Sequence, residues 1–177
     1  MSKTQLKKEL ARMSAEQLST LILDLYAARK DAKDYLDFFV NPDIEARLDK
    51  ARTQIDKEMR RLSRGRSTTR ISKVKAAIAS ITSLGAGVDA DADILLHVIE
   101  QACEMPSRGF VKESLQRAFA LLLERLVILA DSAGMLSTYL PRIEQAIDSM
   151  SSNYFFRNQF KRLMRDTLAA TLASRNL

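Results

Sequence analysis

A chain with one histidine, His97, and one cysteine, Cys103, holds few of the side chains that catalysis recruits. A single imidazole excludes, by count, histidine-rich metal sites and paired catalytic histidines. His97 stands between Leu95-Leu96 and Val98-Ile99, the surroundings of a packed or half-exposed helical residue. Cys103 follows with no recognisable protease context and reads as an inert, partly buried thiol. Asp89, Asp91, Asp93 and Glu100 have the acidic spacing of a calcium loop. The sixth position of such a loop is a glycine that makes a sharp turn, and here it is Ile94, inside an apolar run suited to a buried helix. Three aspartates at a helix start have a plainer use, because they complement the positive end of the helix dipole. Gly85-Ala86-Gly87 lacks the third glycine and the preceding strand of a dinucleotide loop, and no GxxxxGK[ST] pattern occurs. These glycines read as helix stops. Glu100 and Glu104 read as a solvated face, and His97-x-x-Glu100 reverses the order that a di-iron helix uses. The expectation is therefore a chain that is not an enzyme, with no metal, no cofactor and no small-molecule substrate. Carboxylate chemistry of an unfamiliar kind is the third-ranked reading.

One feature exceeds this background. Between Lys57 and Lys75 stand eight cations, Lys57, Arg60, Arg61, Arg64, Arg66, Arg70, Lys73 and Lys75, against one acid, Glu58. The segment carries +7 and the whole chain +6, so the remainder sums to −1. Residues 89–104 hold five acids and neither Lys nor Arg, and could neutralise the basic segment within the molecule. Arg60 and Arg61 close a helix, where cations suit the dipole, but Arg70, Lys73 and Lys75 open one, where they do not. Arg64, Gly65, Arg66, Ser67, Thr68 and Thr69 bring guanidiniums, hydroxyls and free backbone N–H groups together, a composition suited to phosphate or another anion. No aromatic residue interrupts the segment, so a nucleic-acid contact there would be to backbone phosphate rather than to stacked bases. Arg157, Lys161 and Arg165, spaced by four, add a smaller basic stripe near the C-terminus.

The elements that must position these groups are helices. Five Gly, three Pro, no Trp and 6% aromatics do not suit a sandwich or barrel. Apolar spacing and end signals predict an all-α fold of about nine helices in stacked antiparallel hairpins, an irregular bundle or short α-solenoid-like array. Ser14 with Gln17 forms a capping box. Asn41-Pro42 opens a fourth helix that reaches about Leu62. Its apolar residues, among them Ile44, Leu48, Ile55 and Met59, make one narrow stripe, the pattern of a helix that pairs with a partner helix or a second copy. A seventh helix from about Gly109 to Ala133 is apolar on most sides and is expected at the centre. Ser137 is expected to cap an eighth helix, and a ninth is expected from about Asn153 to Ser174. Residues 1–177 are expected to form a single domain, with any subdivision falling between 1–62 and 67–177 at the basic break 63–66. One cysteine and a charged N-terminus without an apolar segment point to a reducing, cytoplasmic setting. The most apolar stretch, Ala118–Ala130, is too short and too charged to span a membrane.

The first quarter of the chain also has a familiar layout. Ser2-Lys3-Thr4-Gln5-Leu6-Lys7-Lys8, Ala15-Glu16-Gln17-Leu18, Leu23-Asp24-Leu25-Tyr26, Lys33-Asp34-Tyr35-Leu36-Asp37-Phe38 and Asn41-Pro42 resemble the start of a bacterial family, domain of unknown function family 6155. The basic stretch and Leu84-Gly85-Ala86-Gly87-Val88-Asp89 are similar to it in layout. The resemblance implies an all-helical bacterial protein and carries no catalytic or binding residues. Two roles fit the residues: an interaction protein that binds a protein partner or itself, and, as the alternative, a binder of nucleic-acid phosphate through Lys57–Lys75.

Overall fold

The computed structural model describes residues 2–64, 66–105, 111–150 and 155–175, with side chains from Asn158 onward in the last segment. Nine helices and one short two-stranded ladder occur among the described residues, an all-α fold. The chain divides into two compact units, residues 1–43 and 44–177. The division falls after Asn41-Pro42, not at the basic break. The helices on either side of that break pack on each other, so the break lies inside the second unit.

The first unit contains α1 (Lys3–Leu10), α2 (Ala15–Ala28) and α3 (Lys30–Val40). Ser14 starts α2 as its sequence predicts: Ser14 Oγ accepts from the Gln17 N–H at 3.2 Å, and Gln17 Oε1 accepts from the Ser14 N–H at 2.9 Å. Helices α2 and α3 pack together. Tyr26 Oη donates to Asp37 Oδ1 at 2.9 Å, which raises the phenol pKa, and Lys33 Nζ sits 5.3 Å from the Tyr26 ring centroid. None of the three helices holds a buried residue.

The second unit contains α4 (Ile44–Met59), β1 (Leu62–Ser63), β2 (Arg66–Ser67), α5 (Ile71–Thr82), α6 (Val88–Glu104), α7 (Glu113–Ser132), α8 (Leu136–Ser149) and α9 (Phe155–Ser174). Its centre is α6, which packs on α4, α5, α7 and α8. Ile94, Leu95, Leu96, Val98 and Ile99 are all 0% exposed. The helix expected at the centre, α7, packs on α6, α8 and α9 but turns Leu121 and Ile128 outward, at 63% and 39% exposure. The Gly109 start and Phe110 of that expectation, and the Asn153 start of α9, lie outside the described residues. Phe119 of α7 meets Phe160 of α9 with ring centroids 6.1 Å apart, both fully buried. Gly134 ends α7 at φ +70, and the Met135 N–H reaches back to the Ala130 carbonyl at 2.8 Å, closing the last turn as a Schellman motif. Helix α8 begins at Leu136, so Met135 and not Ser137 holds the N-cap position, and Pro141 lies inside the helix.

The acids of α6 begin a helix rather than a loop, with Asp89 and Asp91 in its first turn. Asp93 accepts from Arg52 of α4 at 3.0 Å, and Glu100 accepts from Arg142 of α8 at 2.9 Å. His97 Nε2 lies 2.7 Å from Asp56 Oδ1 of α4. Burial pushes the Asp91 carboxyl pKa up, and its Oδ1 has no hydrogen-bond partner among the described residues. No helix among the described residues is long and apolar enough to cross a membrane.

Candidate anion-binding cleft

The basic break is a β-hairpin. Leu62 pairs with Ser67 and Ser63 with Arg66, and Arg64 follows the first strand into the turn. Tight hairpin turns favour residues that accept positive φ, usually Gly, Asn or Asp. Arg64 is the one non-glycine with positive φ among the described residues, at +49. Such a conformation costs an L-residue about 1–2 kcal/mol. The guanidinium is thus held at the hairpin tip against a local preference, and strain of this kind clusters at binding sites.

Two contacts anchor the hairpin base. The Thr68 N–H donates to the Arg61 carbonyl at 2.9 Å. Glu58, 5% exposed at the end of α4, takes a bidentate grip on Arg70: Nε donates to Oε2 at 3.0 Å and Nη2 to Oε1. Arg61 Nε approaches the same carboxylate at 3.6 Å. The hydrogen bonds from Arg70 hold the Glu58 carboxyl below the usual range, outweighing its burial.

A cleft of about 840 Å³ lies between this hairpin and the start of α7. Arg64, Arg66 and Lys112 supply its charge, and Ser63, Ser67, Thr68, Thr69 and Ser114 its hydroxyls, with Ile71 and Leu115 beneath. Ser67, 8% exposed, shares a 2.9 Å hydrogen bond with Thr69. Helices α5 and α7 both begin at this cleft, and neither N-terminus has a side-chain cap. Their first N–H groups and positive dipole ends therefore add to the three cations. Gln116, 3% exposed, braces the start of α7 by donating to the Val111 carbonyl at 2.8 Å.

The eight basic residues of 57–75 divide into two groups. Arg61 and Arg70 are engaged by Glu58. Lys57, Arg60, Arg64, Arg66, Lys73 and Lys75 are exposed and have no carboxylate partner among the described residues. Asp93 and Glu100 of α6 pair with Arg52 and Arg142, and among the described residues no acid of α6 pairs with these six.

Two expected surfaces are used up by the chain itself. Lys161 of the C-terminal stripe is 8% exposed and donates to the carbonyls of Asp148 and Met150 at 2.7 and 3.0 Å. Arg165 pairs with Asp148 at 2.5 Å. Both cations close the C-terminal end of α8, where unpaired carbonyls attract positive charge. The Arg157 side chain lies outside the described residues. Leu48, Ile55 and Met59 are 2%, 0% and 1% exposed, and Ile44 packs against the same core. The stripe of α4 meets α5 and α6 of its own chain, so it offers no face to a partner helix. Missing from the sequence reading were Lys112 and Ser114, which reach the cleft only through the fold. Among the described residues, no group of three His, Cys, Asp or Glu is placed to hold a metal ion.

No curated protein and no solved structure matches the chain. A family model described as a family of unknown function (DUF6155) matches residues 1–167. The match runs well past the N-terminal quarter and takes in both units and the cleft, and the chain belongs to that family.

Proposed function

We propose that this chain is a non-enzymatic binding protein that grips the phosphate backbone of nucleic acid in the cleft between the hairpin and α7. The observation that carries the reading is the convergence of Arg64, Arg66 and Lys112, none with a carboxylate partner among the described residues, on two uncapped helix N-termini. Phosphate oxygens are strong acceptors, and guanidiniums, hydroxyls and free N–H groups are the donors that suit them. The residues lining the cleft include no Asp, Glu, His or Cys, so no carboxylate, imidazole or thiol faces a ligand held there. They include no aromatic either, so no base stacks there and the contact is to backbone phosphate.

Fluorescence anisotropy with a labelled duplex tests the reading. Binding is expected at low salt and should be nearly abolished by Arg64→Glu with Arg66→Glu. Absence of binding at low salt would overturn it. Inorganic pyrophosphate, added at matched ionic strength, distinguishes a discrete phosphate ligand from a nucleic-acid backbone. Stronger competition than ionic strength explains would favour the former.

A further inference from the structure

The cations of the cleft come to it from two sides. Arg64 and Arg66 line it from the hairpin and Lys112 from the start of α7, so positive charge stands on both walls. Hydroxyls follow the same division, with Ser67 and Thr68 on one wall and Ser114 on the other. The N–H groups of Ile71 and Ser114, at the two helix starts, have no acceptor among the described residues. The acids nearest in the chain are spent elsewhere: Glu58 holds Arg70, and Glu113 accepts from Arg117 at 2.5 Å. At about 840 Å³ the cleft falls within the range of about 300–1,000 Å³ in which proteins enclose small ligands.

Phosphate stereochemistry decides which part of a nucleic acid suits such a site. A phosphate inside a strand carries one negative charge, exposes two free oxygens and must let the chain both in and out. A run of such phosphates is matched by cations spread in a row, since each strand presents one for about every 3.4 Å of duplex axis. A terminal phosphomonoester presents three acceptor oxygens and a charge of about −1.5 to −2 near neutral pH, and it has a single tether. Its oxygens splay away from that tether, so donors on two facing walls reach them together. The charges balance as well: three cations meet about −2 at the end phosphate and about −1 at the next one.

We infer that the cleft receives the terminal phosphate of a nucleic-acid strand, its free oxygens gripped between Arg64, Arg66 and Lys112. The inference rests on the phosphate reading of the cleft and narrows it from any stretch of backbone to a strand end.

Anisotropy on one internally labelled duplex at fixed low salt tests it. The duplex is prepared with phosphate at one polarity of end, with phosphate at the other, and with hydroxyls at every end. At least one phosphorylated form should bind about 10-fold tighter than the hydroxyl form, the worth of one charge-assisted hydrogen bond. Lys112→Ala removes the cation opposite the hairpin without removing a side-chain cap from α7, and it should shrink that ratio. Equal affinity for all three forms would overturn the inference and leave the backbone reading standing. A ratio unchanged in Lys112→Ala would overturn it too. If no form binds, the backbone reading fails and the inference falls with it. A nucleoside monophosphate that binds as tightly as the phosphorylated duplex would also overturn it, because the cleft would then take a free nucleotide.

Discussion

Replacing Arg64 and Arg66 by alanine, singly and together, should change how nucleic-acid affinity depends on salt. Each cation that neutralises a duplex phosphate adds about −0.9 to the slope of log affinity against log salt. Three cations line the cleft, Arg64, Arg66 and Lys112. With all three on phosphate their slope is about −2.7, so affinity falls about 40-fold between about 50 and about 200 mM salt. The double variant keeps Lys112 alone, with a slope of about −0.9 and a loss of about 3.5-fold over the same range. Lys57, Arg60, Lys73 and Lys75 also lack carboxylate partners among the described residues. If they join in, they steepen both slopes equally, so the difference of about 1.8 is the quantity that tests the cleft. Alanine at position 64 retains a Cβ at φ +49, so wild type and variant carry the same backbone strain. Anisotropy titrations on two duplexes of unrelated sequence should give the same slopes, because contacts to backbone phosphate carry no sequence information. A double variant with the wild-type slope would show that phosphate is held elsewhere.

Three further expectations concern what holds the site in place. Glu58→Gln removes one partner from a pair buried at the carboxylate and half exposed at Arg70, so the loss lies between surface and buried values, about 2 kcal/mol or about 5 °C in a thermal melt. Because Arg70 lowers the Glu58 pKa, the wild-type advantage is complete above the unfolded value of about 4.3 and fades as pH falls through the lower folded value. Melts of both proteins from neutral to acid pH should therefore converge, and an advantage that persisted at the acid end would contradict the assignment. Lys161→Met removes two charge-assisted hydrogen bonds at the end of α8 and should destabilise by about 1.5–3 kcal/mol while leaving the salt slope unchanged. A flatter slope in that variant would return the C-terminal stripe to the binding surface. Ile55→Ala opens a cavity at a fully buried position of α4 and should cost about 2–5 kcal/mol in urea unfolding. A cost well under 1 kcal/mol would mean that this face is not core.

The helical architecture was legible because apolar residues at spacings of three and four persist over long stretches, and end signals such as Ser14 with Gln17 act locally. What depended on contacts distant in sequence was not. The hairpin escaped notice because strands of two residues show no alternation to read. Helix α7 looked central by its apolar content, yet α6 holds that place. Glu100 read as part of a solvated face, and its partner Arg142 lies 42 residues away. The stripe of Lys161 and Arg165 looked free for the same reason, since the carbonyls and carboxylate it closes belong to the preceding helix. The cluster at Arg64–Thr69 could be read from composition, because its charges and hydroxyls are neighbours in the chain. Its opposite wall could not, because Lys112 reaches it from another helix.

Cys103 sits near the end of α6 at 1% exposure, the single thiol of the chain. An alkylating reagent reaches that sulfur only when the helices around it come apart, so modification proceeds no faster than the protein opens. The molecule thus carries its own clock for the integrity of its interior. Trapping rates at increasing reagent concentration, read by mass, give the equilibrium and then the rate of opening without any label being introduced.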